Sequence, residues 1–192
     1  MKGRKYMSNI IIETIKSRRS IRGYKNEQIT DKQLNEILEA GMHAPSSHNS
    51  QSWHFTVIQN KEVIKHISDK AKDVMLGHED SKIVEMGKGT NNIFYNAPTV
   101  IVVSGNENSN SGSTLVDCSA AIENMLIASE SLGLGSIWIG QIKFFFTLKN
   151  EVKKLNIPEG YKPHYAIAIG YKDEDTKIKD KIINRNVINF IK

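Results

Sequence analysis

Little in this chain is built from residues that carry covalent or metal chemistry. It has one cysteine, Cys118, in 192 residues. That rules out an internal disulfide framework and fits a reducing compartment. One thiol cannot build a Cys-rich metal site. The histidines, His43, His48, His54, His66, His78 and His164, show no H-E-x-x-H or other ligand spacing. There is no P-loop, and Ser46 and Ser47 lack the G-x-S-x-G elbow of a serine hydrolase. No stretch approaches the roughly 18 apolar residues of a membrane span. The basic start, "MKGRKYMSN", is followed by no apolar signal core. A cytoplasmic protein without a membrane partner is therefore expected. With no acid, base, nucleophile or metal in evidence, an enzyme of this sequence leaves the chemistry to a bound organic cofactor.

What is present suits an ordinary globular domain. Hydrophobic residues make up 39% and charged residues 24%, with a net charge of +5. The charge is spread along the chain apart from the N-terminus and the stretch 177–181, which suits a solvated basic surface with one anionic ligand. Ile10, Ile11, Ile12 and Ile15 predict a short buried helix. Thr30 with Gln33 forms a capping box before a second helix that stops at Pro45. Strands are expected at 53–58, 100–103, 136–140 and 164–171, with helices over 61–75, from Thr114 to Gly133, and in "FFFTLKNEVKKL". Residues 76–97 give no clear pattern. The longest helix carries one apolar stripe through Leu115, Cys118, Ile122, Met125, Leu126, Ser129 and Leu132. Cys118 therefore reads as core rather than nucleophile, and Asp117 as a local polar or interface residue. Mixed order without a strict βαβ rhythm predicts an α+β fold in one domain, 1–192. The apolar "VINFI" after a polar stretch suggests an arm over 172–192 that lies on a partner subunit.

Three segments carry candidate chemistry. In "SRRSIRGY", Arg18, Arg19, Ser20 and Arg22 can converge on one anion through guanidinium forks and a hydroxyl. The alternative is a basic helix end, where cations suit the C-terminal dipole. In "APSSHNSQSWHF", a loop dense in Ser, Asn and Gln can line the edge of a planar heterocycle, or serve only as a helix-to-strand turn. In "GLGSIWIGQ", Gly133 can end the helix, while Gly135 and Gly140 let backbone approach a flat ligand. The spacing is not that of a dinucleotide fingerprint.

Taken in order, these segments resemble the nitroreductase family of flavin enzymes. "SRRSIRGY" is similar to its phosphate-binding motif, and "APSSHNSQSWHF" to its P-S-S-x-N-x-Q-P-W-H-F segment. "DCSAAIENMLIASESLGLGSIWIG" resembles its long helix and glycine-rich strand, and "PHYAIAIGY" its last core strand. Ser52 departs from the family pattern by replacing a proline. The resemblance implies a three-layer α/β/α fold, its mainly antiparallel mixed sheet flanked by helices, with the C-terminal arm exchanged in a homodimer.

The resemblance also implies a site. Arg18, Arg19, Ser20 and Arg22 would hold the phosphate of FMN. Pro45, Ser46, Ser47 and Asn49 would line its ring system, with Gln51 near the polar edge and some of these contacts crossing between protomers. The Ile139–Gly140–Gln141 backbone would lie near the reactive nitrogen. Lys181 or Arg185 would add a cation to the phosphate. Electrons would pass from NADH or NADPH to FMN, then to a nitroaromatic, quinone or similar small acceptor, in a ping-pong cycle. Other flavin chemistry, such as dehalogenation or dehydrogenation, and a sensing or scavenging flavoprotein are the alternatives. A nucleic-acid partner is not expected, since Tyr24 is the only aromatic near the basic run.

Overall fold

The computed structural model describes residues 9–176, 178 and 180–192. The basic start, 1–8, lies outside them, as do Lys177 and Lys179 of the basic stretch. The helices are α1 (Ile10–Ser17), α2 (Asp31–Met42), α3 (Lys61–Leu76), α4 (Ser81–Gly89), α5 (Thr114–Ser131), α6 (Lys143–Phe146) and α7 (Lys149–Val152). The strands are β1 (Trp53–Ile58), β2 (Thr99–Asn106), β3 (Leu134–Ile139) and β4 (Tyr161–Tyr171).

The strands form one sheet in the order β1-β2-β4-β3, antiparallel at every pairing. A parallel bridge joins Ser20 to Ser136 at the outer edge of β3. Strands β2 and β4 are central and covered on both faces, so they read as continuous apolar runs. Alternate residues face opposite layers. Val100, Val102, Ala166 and Ala168 meet Ile64, Ile67, Ala71 and Met75 of α3 and Phe144 and Phe145 of α6. Ile101, Val103, Ile167 and Ile169 meet Ile37 of α2 and Ile122, Met125 and Leu126 of α5. The fold is the expected three-layer α+β architecture.

Local signals set several boundaries. Thr30 Oγ1 accepts from Gln33 N–H at 3.2 Å, and Gln33 Oε1 accepts from Thr30 N–H at 3.0 Å, completing the capping box. Gly133, at φ +75°, occupies the left-handed position after α5. Other expectations need correction. Helix α1 forms, but none of its residues is buried, and Ile10 is 80% exposed. Among the described residues, its isoleucines stay between 42% and 80% exposed. "FFFTLKNEVKKL" is two short helices and a 3-10 turn rather than one helix. Residues 76–97 contain α4, capped by the Asp80 carboxylate on Lys82 N–H. Of the stripe on α5, Leu115 is exposed, whereas Cys118 through Ser129 are buried.

Candidate functional site

Residues 18–25 run along the edge of β3 and cross to the end of β4. Their backbone is fixed. Ile21 N–H donates to Ser136 O at 3.1 Å and Lys25 N–H to Tyr171 O at 3.0 Å. The buried Tyr24 hydroxyl donates to Ile21 O at 2.9 Å. Ile21 points into the core against Gly135, where an added Cβ would lie 2.8 Å from its methyl carbon. Gly135 therefore makes room for Ile21 rather than for a ligand, which corrects that part of the sequence reading.

With Ile21 inward, its neighbours face out. Arg18, Arg19, Ser20, Arg22 and Lys181 line one cavity of about 230 Å³. Arg185 is not among its lining residues. The arginines are not equivalent. Arg19 Nη1 lies on the carbonyls of Lys16, Ser17 and Arg18 at 2.6, 2.9 and 2.9 Å, closing the end of α1. The helix-end reading thus holds for that nitrogen. Arg18 Nε stands 3.8 Å from Glu123. Arg22 is exposed, with its guanidinium 5.8 Å from the centre of the Tyr95 ring.

Arg22 also lines two neighbouring cavities. One, of about 460 Å³, runs past Ile139, Gly140 and Gln141 to Met86, Lys143 and Phe144. The other, of about 400 Å³, lies between Arg22, Thr90 and Asn92. Each has a volume within the range that small-molecule sites take. A Cβ on Gly140 would meet nothing within 4 Å. The Gln141 side chain donates to Thr90 Oγ1 at 3.2 Å, and among the described residues its N–H has no acceptor. Sequence reasoning left Ile83, Met86 and Tyr95 unassigned, yet they form the wall opposite β3. Ile83 and Met86, two apolar residues three apart on a short helix, were the available signal.

The serine loop lies elsewhere. It enters β1, the edge strand opposite β3. Residues 45–51 and Gly140 leave the same end of the sheet, but β2 and β4 separate them, three spacings of about 4.8 Å. One protomer therefore does not bring Pro45, Ser46, Ser47, Asn49 and Gln51 to its own arginine cavity.

The loop is built around Asp117, which is 4% exposed on α5. Oδ1 accepts from Ser47 N–H at 3.0 Å. Oδ2 accepts from the hydroxyls of Ser50, Ser52 and Ser111 at 3.2, 2.9 and 2.6 Å. Burial by itself raises this carboxyl, but the Ser111 hydroxyl, the Ser47 N–H and the other two hydroxyls hold it below the ordinary value. Beside it, burial first and the Asp117 charge second push the Cys118 thiol up to about 12, so it is an inert core residue. Three loop residues, His48, Asn49 and Gln51, have left-handed φ of 52°, 53° and 44°. Ser46 Oγ accepts from Gln51 N–H at 3.0 Å, and Gln51 donates to Asn49 Oδ1 at 3.2 Å. Much of the polar density read as ligand-binding is spent inside the loop.

Among the described residues, no group of three or more His, Cys, Asp or Glu could hold a metal, and no helix is long and apolar enough to cross a membrane. The sequence profile of the Nitroreductase family matches residues 15–171. The chain belongs to the nitroreductase family. Solved structures agree: a nitroreductase with bound FMN from Bacteroides fragilis superposes with a TM-score of 0.87 at 35% identity, covering 96% of this chain and 100% of that one. A protein of Archaeoglobus fulgidus with the provisional name NADH dehydrogenase/NAD(P)H nitroreductase is 34% identical over 85% of this chain and 86% of its own. The FMN reductase [NAD(P)H] of Bacillus subtilis is 28% identical over 91% of this chain and 70% of its own length.

Proposed function

We propose that this chain is an FMN-dependent oxidoreductase that takes electrons from NADH or NADPH and passes them to small planar acceptors such as nitroaromatics or quinones. The observation that carries this reading is that the arginine cavity and the cavity along Gly140 share Arg22. A cavity ringed by Arg18, Arg19, Ser20, Arg22 and Lys181 shares Arg22 with the cavity that passes the bare backbone at Gly140. A dense positive cradle suits a phosphate, and an open strip of backbone suits a flat ring. The residues therefore fit FMN, whose bound ring would supply the two-electron chemistry that no side chain here provides. The free Gln141 N–H can face the ring, and Lys143 and Arg22 set a positive field beside it. Ile83, Met86, Tyr95 and Phe144 give the cleft an apolar and aromatic wall suited to a planar acceptor. Of the two C-terminal candidates, Lys181 is the phosphate ligand in this reading.

The working unit in this reading is a homodimer. Ile10, Ile11, Ile12 and Ile15 lie exposed on α1, and Ile182, Ile183, Val187, Ile188, Phe190 and Ile191 lie exposed on the tail. Apolar surface on that scale calls for a partner. A second copy supplies one and lets residues 45–51 of one protomer complete the cleft of the other.

The test is optical. Purified protein, reconstituted with FMN if necessary, is expected to show a flavin spectrum that NADH or NADPH bleaches and a nitroaromatic restores. A chain that cannot take up FMN sinks the reading. A yellow protein that neither nicotinamide reduces would favour a sensing or scavenging role. Sedimentation is expected to find two chains per particle, and a monomer with full flavin occupancy would refute the shared site.

A further inference from the structure

Three residues in five of the serine loop hold left-handed backbone without being glycine. Each such residue costs on the order of 1 kcal/mol and persists only when its surroundings over-determine it. The surroundings here converge on one carboxylate. Asp117 receives Ser47 N–H, Ser50 and Ser52 from the loop, and Ser111 from the loop after β2. The three loop donors bracket the strained stretch, with Ser47 on one side and Ser50 and Ser52 within and beyond it. Ser52 adds a donor where the family pattern has a proline that could give none. Asp117 sits beneath the loop, on the helix that carries the core, so its position is fixed by packing.

We propose that Asp117 is a positioning residue that presets the conformation of residues 46–51 for FMN without touching the cofactor. Its charge matters as well as its shape. Hydrogen bonds to a carboxylate are roughly twice as strong as neutral ones. An amide of the same size has one acceptor oxygen rather than two, and would turn donor hydrogens toward the hydroxyls. The inference rests on the reading that this loop borders the flavin.

The experiment titrates FMN into apoprotein and follows flavin fluorescence, alongside thermal unfolding of the same apoprotein. D117N and the loop double variant S50A/S52A are each expected to raise the FMN dissociation constant by about tenfold, the equivalent of losing one charge-assisted hydrogen bond. S111A removes a donor that belongs to the other loop and is expected to stay within about twofold. Bound flavin in D117N is expected to show a shifted visible circular dichroism band, which a loss of stability alone would not produce. If D117N fails to fold, S50A/S52A carries the test. Variants that unfold earlier but bind FMN like the parent, with an unchanged flavin band, would make Asp117 a stability element and overturn the proposal. If the parent apoprotein takes up no FMN, the functional reading fails first, and the two failures are distinguishable.

Discussion

Residues 18–25 are held by their backbone, through Ile21 N–H on Ser136 and Lys25 N–H on Tyr171. Residues 46–52 are held largely by their own side chains, through Ser50 and Ser52 on Asp117 and Ser46 on Gln51 N–H. The difference decides what each segment has left to offer. A segment fixed by backbone pairing keeps its side chains for a ligand, as Arg22 and Ser20 do at the cavity. A loop fixed by its side chains offers mainly its remaining edges and its shape. Similar polar density in the two segments thus means different things.

The largest expected effect breaks the arginine side of this comparison. R18A/R22A removes two guanidinium groups from the cavity but leaves the backbone pairing intact. Arg18 loses only a distant pair with Glu123 at 3.8 Å, which contributes little to folding. Each charge-assisted bond to a phosphate contributes roughly 1.5–3 kcal/mol, so FMN affinity is expected to fall by at least about a hundredfold. Equilibrium dialysis measures this, and unchanged occupancy would remove the phosphate from this cavity.

Two glycines sharpen the comparison next, because they stand five residues apart with opposite surroundings. Gly140 faces open space, and Gly135 faces Ile21. G140V is expected to fold normally and to weaken FMN by more than about tenfold, since its side chain occupies the approach to the backbone. G135A is expected to lose about 1–3 kcal/mol of stability through overpacking, a fall of several degrees in Tm. Paired melting curves and FMN titrations distinguish these, and a G140V protein with normal affinity would move the ring away from the strip.

Much of this architecture could be read from the chain itself. The Thr30–Gln33 box, Gly133 and the apolar strands act over a few residues, so their signals lie close together. What escaped the reading acts over long separations. Asp117 gathers its loop partners from residues 47, 50 and 52, distant in sequence and adjacent only after folding. Ile21 fills the space over Gly135 from the far end of the chain. Helix α4 has few apolar residues and two glycines, and one of them, Gly87, lets it sit against Met75 of α3. Its support is tertiary. The isoleucines of α1 announced a face that wants cover, but hydrophobicity does not say which chain supplies it.

Arg19 carries the smallest expected effect and the finest test. It shares the cavity with Arg18 and Arg22, yet one of its nitrogens already serves three carbonyls at the end of α1. A cation at a helix C-terminus contributes about 0.3–1 kcal/mol. R19Q keeps a donor there but removes the charge, so a Tm loss of only about 1–4 °C is expected. If Arg19 is chiefly a helix end, FMN affinity changes less than about threefold, far less than for R18A/R22A. Raising the salt concentration separates the two roles further, because a phosphate contact made through solvent-accessible charge weakens with screening, whereas short bonds to carbonyls do so much less. A loss in R19Q approaching that in R18A/R22A would show that the remaining guanidinium nitrogens reach the phosphate, and that this residue is held by backbone and ligand at once.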